Sequence, residues 1–232
     1  TGFGELDNLK ARKNKTALKS KVIYGRGINT RKLLESFKIL DAEDPSLNVS
    51  WNSKTEEIQV NVMGTVQLEI LKSLLKERFD FEVDFAQPDI IYKESIKGQV
   101  FGYGHFEPLK HYAEVHLKIE EGARNSGINF ENQASTDDLS QGLQNLVKQH
   151  ILVEHRGLLT GSPLTDLKIT LLTGKAHNKH TSGGDFKEAT YRALRQGLEK
   201  AENLLLEPVY DFKIKVDLDY LGKVISDIEK AA

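Results

Sequence analysis

The first 88 residues alternate between two hydrophobic periods, and that order restricts the folds open to the chain. Helical spacing occurs twice, in the apolar sets Leu33, Leu34, Phe37, Leu40 and Val66, Ile70, Leu71, Leu74, Leu75. Segments 47–51, 58–62 and 81–85 instead alternate apolar with polar residues, as strands do, and the short apolar segment 22–24 could be another strand. The order β-α-β-β-α-β predicts a ferredoxin-like split βαβ domain that closes near Pro88.

Local signals mark the ends of the two predicted helices. Asn29 or Thr30 can cap the first helix, because a short polar side chain accepts hydrogen bonds from the free amides of the first turn. This helix should end before Pro45, since the residue ahead of a proline avoids the helical region. The second helix is predicted to open at Thr65.

A second α+β unit follows. Its strands are predicted at 96–101, 112–120, 128–133 and 165–173. Ser135 and Asp138 have capping-box spacing ahead of one helix, and Asp185 can cap another that reaches about Ala201. A polar loop, Gly174–Gly184, precedes that last helix.

The segment after Pro208 predicts one more strand, at 209–216, and one more helix, at 220–231. A single β-α pair cannot bury both of its faces, so we expect it to be the truncated start of a third domain. Residues 1–10 contain no apolar core of a signal peptide and no initiator Met, which favours an excised piece of a longer protein.

Composition excludes several kinds of chemistry. The 232 residues include no cysteine, so the chain cannot form disulfides, thiolate zinc sites or iron–sulfur clusters. No apolar run approaches the roughly 18 residues of a membrane helix.

The net charge of −2 conceals an uneven distribution. Residues 1–38 hold ten basic and three acidic side chains, and residues 174–200 hold six basic and three acidic ones together with His177 and His180. Local clusters, rather than the total, set the field that a phosphate backbone meets. The two stretches fit either a nucleic-acid partner or simply a solvated linker and helix face.

No catalytic constellation is found. A P-loop is absent: Gly25–Lys32 comes nearest but lacks its second glycine. Gly102 and Gly104 are predicted to form a loop turn. His177 and His180, with Asp185 nearby, are the one plausible metal cluster, but a pair of loop histidines without a third ordered ligand is usually not a metal site. We therefore predict no catalytic residues, no bound metal and no enzyme activity for this chain.

Six segments follow one another in a characteristic order. They are EDPS (Glu43–Ser46), MGTVQLEI (Met63–Ile70), YKESI (Tyr92–Ile96), RGLLTGSPLTDLKITL (Arg156–Leu171), LLEP (Leu205–Pro208) and then Tyr220, Gly222, Val224, Ile225 and Asp227. In this order they resemble elongation factor G and the tetracycline-resistance ribosomal-protection GTPases. The resemblance implies the following boundaries: 1–21, a basic tail and possible end of domain II; 22–90, a ferredoxin-like domain III; 91–206, an S5-like domain IV with a left-handed βαβ crossover; 207–232, a truncated start of domain V.

The resemblance also implies a site and partners. The tip of domain IV would reach the small-subunit RNA at the decoding region of the ribosome, through Lys175, His177, Asn178, Lys179 and His180, with His105, Lys110 and His111 in a neighbouring loop. Such polar side chains can donate hydrogen bonds to RNA phosphates and base edges. GTP and Mg²⁺ would bind a GTPase domain outside this chain, and the protein would be cytoplasmic.

The branch within the family stays open. Gly184, Asp185 and Phe186 resemble the resistance proteins, but the tip carries Ala176–Lys179 where well-known members of that group have Tyr-Ser-Pro. Two alternatives remain: a free-standing S5-like RNA-binding protein without GTPase activity, and a histidine-dependent metal hydrolase.

Overall fold

A computed structural model describes residues 16–52, 55–177, 179–210 and 213–231. The first domain contains β1 (Leu18–Tyr24), α1 (Thr30–Glu43), β2 (Ser50–Asn52), β3 (Glu57–Val62), α2 (Thr65–Phe79), β4 (Val83–Phe85) and β5 (Asp89–Ile90). The strands form an antiparallel sheet of order β2-β3-β1-β4, and β5 pairs with the start of β1. This order is that of a split βαβ domain, so the α+β prediction is confirmed.

Strand β1 begins earlier than the sequence predicted. Leu18 pairs with Val62 and Lys21 with Gln59, so residues 18–21 belong to the sheet rather than to a tail. The predicted boundary after residue 21 therefore falls inside a strand, and it is corrected to a position before Leu18. The strand is hard to recognise in the sequence because the buried residue of this stretch, Ser20, is polar and stands between two lysines, so the apolar alternation is interrupted.

Helix α1 starts as predicted. The side chain of Asn29 accepts hydrogen bonds from the amides of Arg31 and Lys32 at 3.1 Å. The strand predicted at 47–51 is shorter, because residues 45–47 form a 3₁₀ turn that the Asp44 carboxylate caps. Only Ser50–Asn52 remains as β2.

Helix α2 packs on the core with a face that matches the predicted one only in part. Leu71 and Leu75 are buried as predicted, together with Leu68, and Leu74 is half-buried. Val66 and Ile70, which were also predicted to face inward, are 68% and 55% exposed. Apolar residues occupy more than one side of this helix, so hydrophobic spacing alone does not decide which side packs against the sheet.

The second domain contains β6 (Lys93–Lys97), β7 (Gln99–Phe106), β8 (Ala113–Glu121), β9 (Ile128–Asn132), α3 (Gln141–Ile151), β10 (Leu167–Ala176), α4 (Gly183–Lys200) and β11 (Glu202–Leu206). Its main sheet has the order β7-β8-β10-β9, in which β9 and β10 are parallel, and β11 pairs separately with β6. The unit β9-α3-β10 is the expected βαβ crossover, and its left hand stays a prediction.

Two local predictions in this domain are wrong. The strand expected at 96–101 is divided by Gly98, whose φ of +75° ends β6 and lets β7 turn back. Helix α3 begins at Gln141, not at Ser135. The Gln144 amide donates to the carbonyl groups of Ala134, Ser135 and Leu139, and these bonds hold the preceding segment as a turn.

The C-terminal segment is a helix without a sheet. Helix α5 spans Leu221–Ala231, as predicted, but the described residues between 207 and 217 form no strand. The strand predicted at 209–216 is thus not observed there, because no described strand lies beside it to accept its hydrogen bonds. Within the described ranges, no helix has the length and hydrophobicity needed to cross a membrane.

Gly102 and Gly104 lie inside strand β7, so the predicted loop turn is wrong. A Cβ on Gly102 would lie 1.9 Å from the Ala193 carbonyl oxygen, and one on Gly104 would lie 1.8 Å from the Ala189 carbonyl oxygen. The missing side chains let helix α4 approach the strand backbone closely.

We predict that Gly104→Ala lowers the free energy of unfolding by about 3 kcal/mol, because the added methyl group must displace helix α4. Urea unfolding of the purified chain measures the change. Gly142→Ala is the matched control: a Cβ there meets no atom within 4 Å, so it should be neutral or stabilising by up to about 1 kcal/mol. Equal stability of the two variants would show that the close approach carries no cost.

Candidate nucleic-acid interface at the tip of the second domain

A bulge in strand β10 determines which side chains reach the tip. Leu171 pairs with Leu117, but Thr173 pairs with His116, so one residue is added on the β10 side. Beyond the bulge Gly174 is buried, and Lys175 lies opposite Glu114 on the exposed side. Lys175 is thus part of strand β10 rather than of the polar loop where the sequence placed it.

The tip loop, defined here as residues 177–182, is held by hydrogen bonds to its neighbours. The Thr181 hydroxyl donates to the Tyr112 carbonyl oxygen at 2.7 Å and accepts from the His177 amide at 2.8 Å. The Tyr112 amide donates to the His180 carbonyl oxygen at 2.9 Å. The amide and the carbonyl group of Tyr112, the residue just before strand β8, thus both bind the tip loop.

The exposed tip side chains are basic or aromatic. The rings of His177 and His180 stack, with centroids 4.6 Å apart and planes 19° apart. Lys110, Lys175 and Lys179 are exposed and form no ion pair with any residue that the structure describes. Asn178, the remaining residue predicted for this loop, lies outside the described residues. The arrangement presents cationic and stacking groups to solvent, which suits a polyanion with exposed bases.

The neighbouring loop, residues 107–112, joins the tip through His111. The His111 Nδ1 lies 2.9 Å from the Asp185 Oδ1, so His111 faces helix α4 with part of its ring. His105 is at the end of strand β7, where its Nε2 lies 3.0 Å from a Glu107 carboxylate oxygen. The structure therefore brings both predicted loops to one end of the domain, and it gives His111 a structural contact.

Asp185 is the third residue of helix α4 and not its N-cap as predicted. Ser182 is the N-cap: its amide and hydroxyl donate to Asp185 at 2.8 and 2.9 Å, in a capping box. Burial alone would raise the pKa of the Asp185 carboxyl, but the bonds from Ser182 and His111 outweigh burial and hold it below its usual value.

Sequence reasoning missed the two residues that link the loops, Tyr112 and Thr181. Each is polar and unremarkable in its local sequence, and the bond between them spans 69 residues. Only the pairing of β8 with β10 brings the two residues together. The sequence gives one weak indication of their role, because each lies where a predicted strand or helix adjoins a predicted loop.

The metal hypothesis rested on His177, His180 and Asp185. His111 and Ser182 surround Asp185, and the two histidines stack on each other. Among the described residues, no group of three or more His, Asp or Glu side chains has the geometry of a metal site.

The segment RGLLTGSP forms a loop around one buried carboxylate, at the other end of the chain's second domain. Glu94 is fully buried and accepts hydrogen bonds from the amides of Leu159, Thr160 and Ser162 at 2.8 to 3.0 Å. A Cβ on Gly157 would lie 2.1 Å from this carboxylate, which explains the glycine there. Burial opposes the charge, but the donors keep the pKa of Glu94 below its usual value.

Two protein families and one characterised protein match the sequence of this chain. A family described as elongation factor G, domain III, matches residues 26–87, and one described as elongation factor G, domain IV, matches residues 88–202. The tetracycline resistance protein TetP of Clostridium perfringens is 32% identical over 217 residues, which cover 93% of this chain and 33% of TetP.

A solved crystal structure of a protein from Thermus thermophilus has the same fold. It superposes with a TM-score of 0.70 at 25% identity, over 93% of this chain and 33% of its own. The chain thus spans about one third of the length of each of these two relatives.

We predict that Asp185→Asn lowers the free energy of unfolding by about 1–2 kcal/mol at pH 7, because a neutral amide is a weaker partner for Ser182 and His111. The native pKa of Asp185 is lowered, so its stabilisation is complete above about pH 4 and is lost as the pH falls through the native pKa. Urea unfolding of both proteins from pH 7 to pH 3 should show their difference shrinking in acid. A difference that stays constant would contradict the role of the charge.

We expect Glu94→Gln to lower the free energy of unfolding by about 1–3 kcal/mol, because the amide nitrogen would face a backbone N–H group that then lacks an acceptor. Glu202→Gln is the control: this carboxylate lies on β11 and is 65% exposed in a pair with Lys97, so its loss should change stability by less than about 0.5 kcal/mol. Similar effects of the two changes would contradict the anchoring role of Glu94.

Proposed function

The chain belongs to the elongation factor G family, and from that membership we propose that it forms the ribosome-binding part of a translational GTPase. The matches to domains III and IV support this, as does the 32% identity to a tetracycline resistance protein. The parent protein would be cytoplasmic, since its partner is the ribosome.

The GTPase chemistry would belong to another part of the parent protein. The 232 residues contain no P-loop, and they span only a third of the length of TetP. GTP and Mg²⁺ would therefore bind a domain outside this chain. Domain III would relay the nucleotide state of that domain, and domain IV would act mechanically at the ribosome, with no bond made or broken here.

The tip of domain IV would contact small-subunit RNA at the decoding region and remodel or displace a ligand there. The observation that carries this proposal is the tip loop itself, where the exposed Lys179 and a stacked histidine pair stand on a backbone fixed by bonds to Tyr112, with the exposed Lys175 at the end of the adjoining strand. Lysines without a carboxylate partner can neutralise phosphates, and imidazole rings can stack on bases. His105 and Lys110 would extend the contact, whereas His111 is engaged by Asp185.

The name of TetP makes tetracycline resistance the first activity to test, and the proposed ribosomal partner would make its mechanism the protection of the ribosome. The displaced ligand would then be the drug. The full reading frame of the gene distinguishes this proposal from the alternative of a free-standing RNA-binding protein. A P-loop encoded upstream of residue 1 would exclude that alternative.

We predict that His177→Ala and Lys179→Ala weaken binding of the full-length protein to ribosomes in the presence of a non-hydrolysable GTP analogue, measured by co-sedimentation. The Lys179 change should also reduce the slope of log affinity against log salt by about one, because one phosphate contact is lost. Lys148→Ala is the control, as Lys148 is exposed on α3, outside the tip loop and its neighbouring loop.

Three results would count against the proposal. If the wild-type protein did not sediment with ribosomes, the ribosomal function would be excluded. If the tip variants bound as the wild type does, the contact would lie elsewhere on the chain. If binding of the Lys148 variant were weakened as much as that of the tip variants, the attraction would be a diffuse electrostatic one.

A further inference from the structure

Strand β7 carries a row of aromatic side chains on the open face of the second domain's sheet. Phe101, Tyr103 and His105 alternate with Gly102 and Gly104, which press against helix α4 on the opposite face. Phe101 is 39% exposed, Tyr103 is 47% exposed, and the His105 side chain is 55% exposed. Alternate residues of a strand lie about 7 Å apart, so the three rings form a straight row, here called the aromatic strip.

The neighbouring strand supports the strip without covering it. On β8, Lys118 lies opposite Phe101 and His116 lies opposite Tyr103. The rings of Tyr103 and His116 meet edge to face with centroids 4.9 Å apart, which fixes the Tyr103 ring on the surface. The strip is thus a preordered set of rings, which lowers the entropy cost of binding a flat partner.

Cationic groups of helix α4 border the strip. The Lys200 Nζ lies over the Tyr103 ring, 5.3 Å from its centre. The Arg192 guanidinium pairs with Glu188, donates to the His105 carbonyl oxygen at 3.1 Å and lies 5.0 Å from the centre of the Phe106 ring. A base that stacks on that face of Tyr103 would displace the Lys200 ammonium, which is then free to pair with a phosphate of the same strand.

The carboxylates of the same face are already engaged. Glu114 accepts from Tyr112 and His116, Glu120 pairs with Lys118, and Glu131 pairs with Lys168. Glu107 lies against His105. An anionic partner would therefore meet neutralised acids on the sheet and the positive groups of α4 along its edge.

We infer that the aromatic strip binds a single-stranded RNA segment by stacking unpaired bases on Phe101, Tyr103 and His105. Rows of aromatic side chains on an open sheet face bind single strands in this way, and flanking cations hold the phosphates. The strip ends at His105, beside the tip loop, so an RNA strand held at the tip can continue along β7. RNA, rather than another single strand, is chosen because the inference rests on the proposed ribosomal function.

The test uses the 232-residue chain and a fluorescein-labelled, unstructured 12-nucleotide RNA of alternating C and A, with binding measured by anisotropy. Phe101→Ala and Tyr103→Ala should each weaken binding about 5- to 150-fold, whereas Tyr103→Phe should bind as the wild type does, since it keeps the ring. Trp51→Ala is the control, because Trp51 is also 39% exposed on a strand but belongs to the first domain.

A second measurement separates stacking from a loss of folding. Trp51 is the single tryptophan, so Tyr103→Trp in a Trp51→Phe background places the only indole on the strip. Its fluorescence should be quenched by the single-stranded RNA and much less by a 12-base-pair duplex, whose bases are not free to stack.

The inference is overturned if the wild-type chain does not bind the RNA, if the alanine variants of the strip bind normally, or if Trp51→Ala weakens binding equally. Failure of the ribosomal proposal has a different signature. In that case the wild-type full-length protein does not sediment with ribosomes, while the strip variants still lose affinity for free RNA.

Discussion

The close approach of helix α4 to strand β7 determines the geometry of both surfaces proposed to bind RNA, the tip loop and the aromatic strip. Gly102 and Gly104 leave room for the backbone of the helix at Ala189 and Ala193, and Gly197 continues the contact from the helix side. Because two backbones touch, neither element can slide without a clash. The N-terminus of α4 therefore has a fixed position relative to β8. There Asp185 contacts both Ser182, the last residue of the tip loop, and His111 of the neighbouring loop. The same contact turns the alternate residues of β7 outward, and these are the aromatic ones.

The elements of the first domain were largely predictable, because its signals are local. Asn29 needs only the next three residues to act as a cap, and the alternation at 58–62 fits one strand with one buried face. The sequence was misleading where two solutions look alike. Val66 and Ile70 are as apolar as Leu68 and Leu71, and the choice between them depends on the sheet. The strand predicted at 209–216 shows the same limit, since a strand needs a partner that sequence alternation cannot supply.

The tip residues could be named from charge and family resemblance, but their arrangement could not. The polar neighbours of Lys175 predict a loop, whereas pairing with Glu114 makes this residue part of a strand. The sequence predicts Asp185 only as a helix cap, and its bond to His111 joins residues 74 positions apart. Glu94 lies in the YKESI segment, but the backbone donors of its hydrogen bonds lie at least 65 residues away, in the segment RGLLTGSP. In each case the missing information was a contact between distant parts of the chain.

The bulge in β10 decides which of the residues leading to the tip face the core, because the strand holds one extra residue there. Before Leu172 the odd-numbered residues face the core, and after it the even-numbered ones do, as the burial of Leu171 and of Gly174 shows. Deleting one residue there would remove the bulge and restore simple alternation, while Lys175 stays on the exposed face opposite Glu114 and Gly174 stays on the inner face. If the strand kept all of its residues but lost the bulge, Lys175 would lie on the inner face and Gly174 would turn outward. Length changes between related proteins are therefore expected at the bulge or in the tip loop, where the facing of the neighbouring residues is kept.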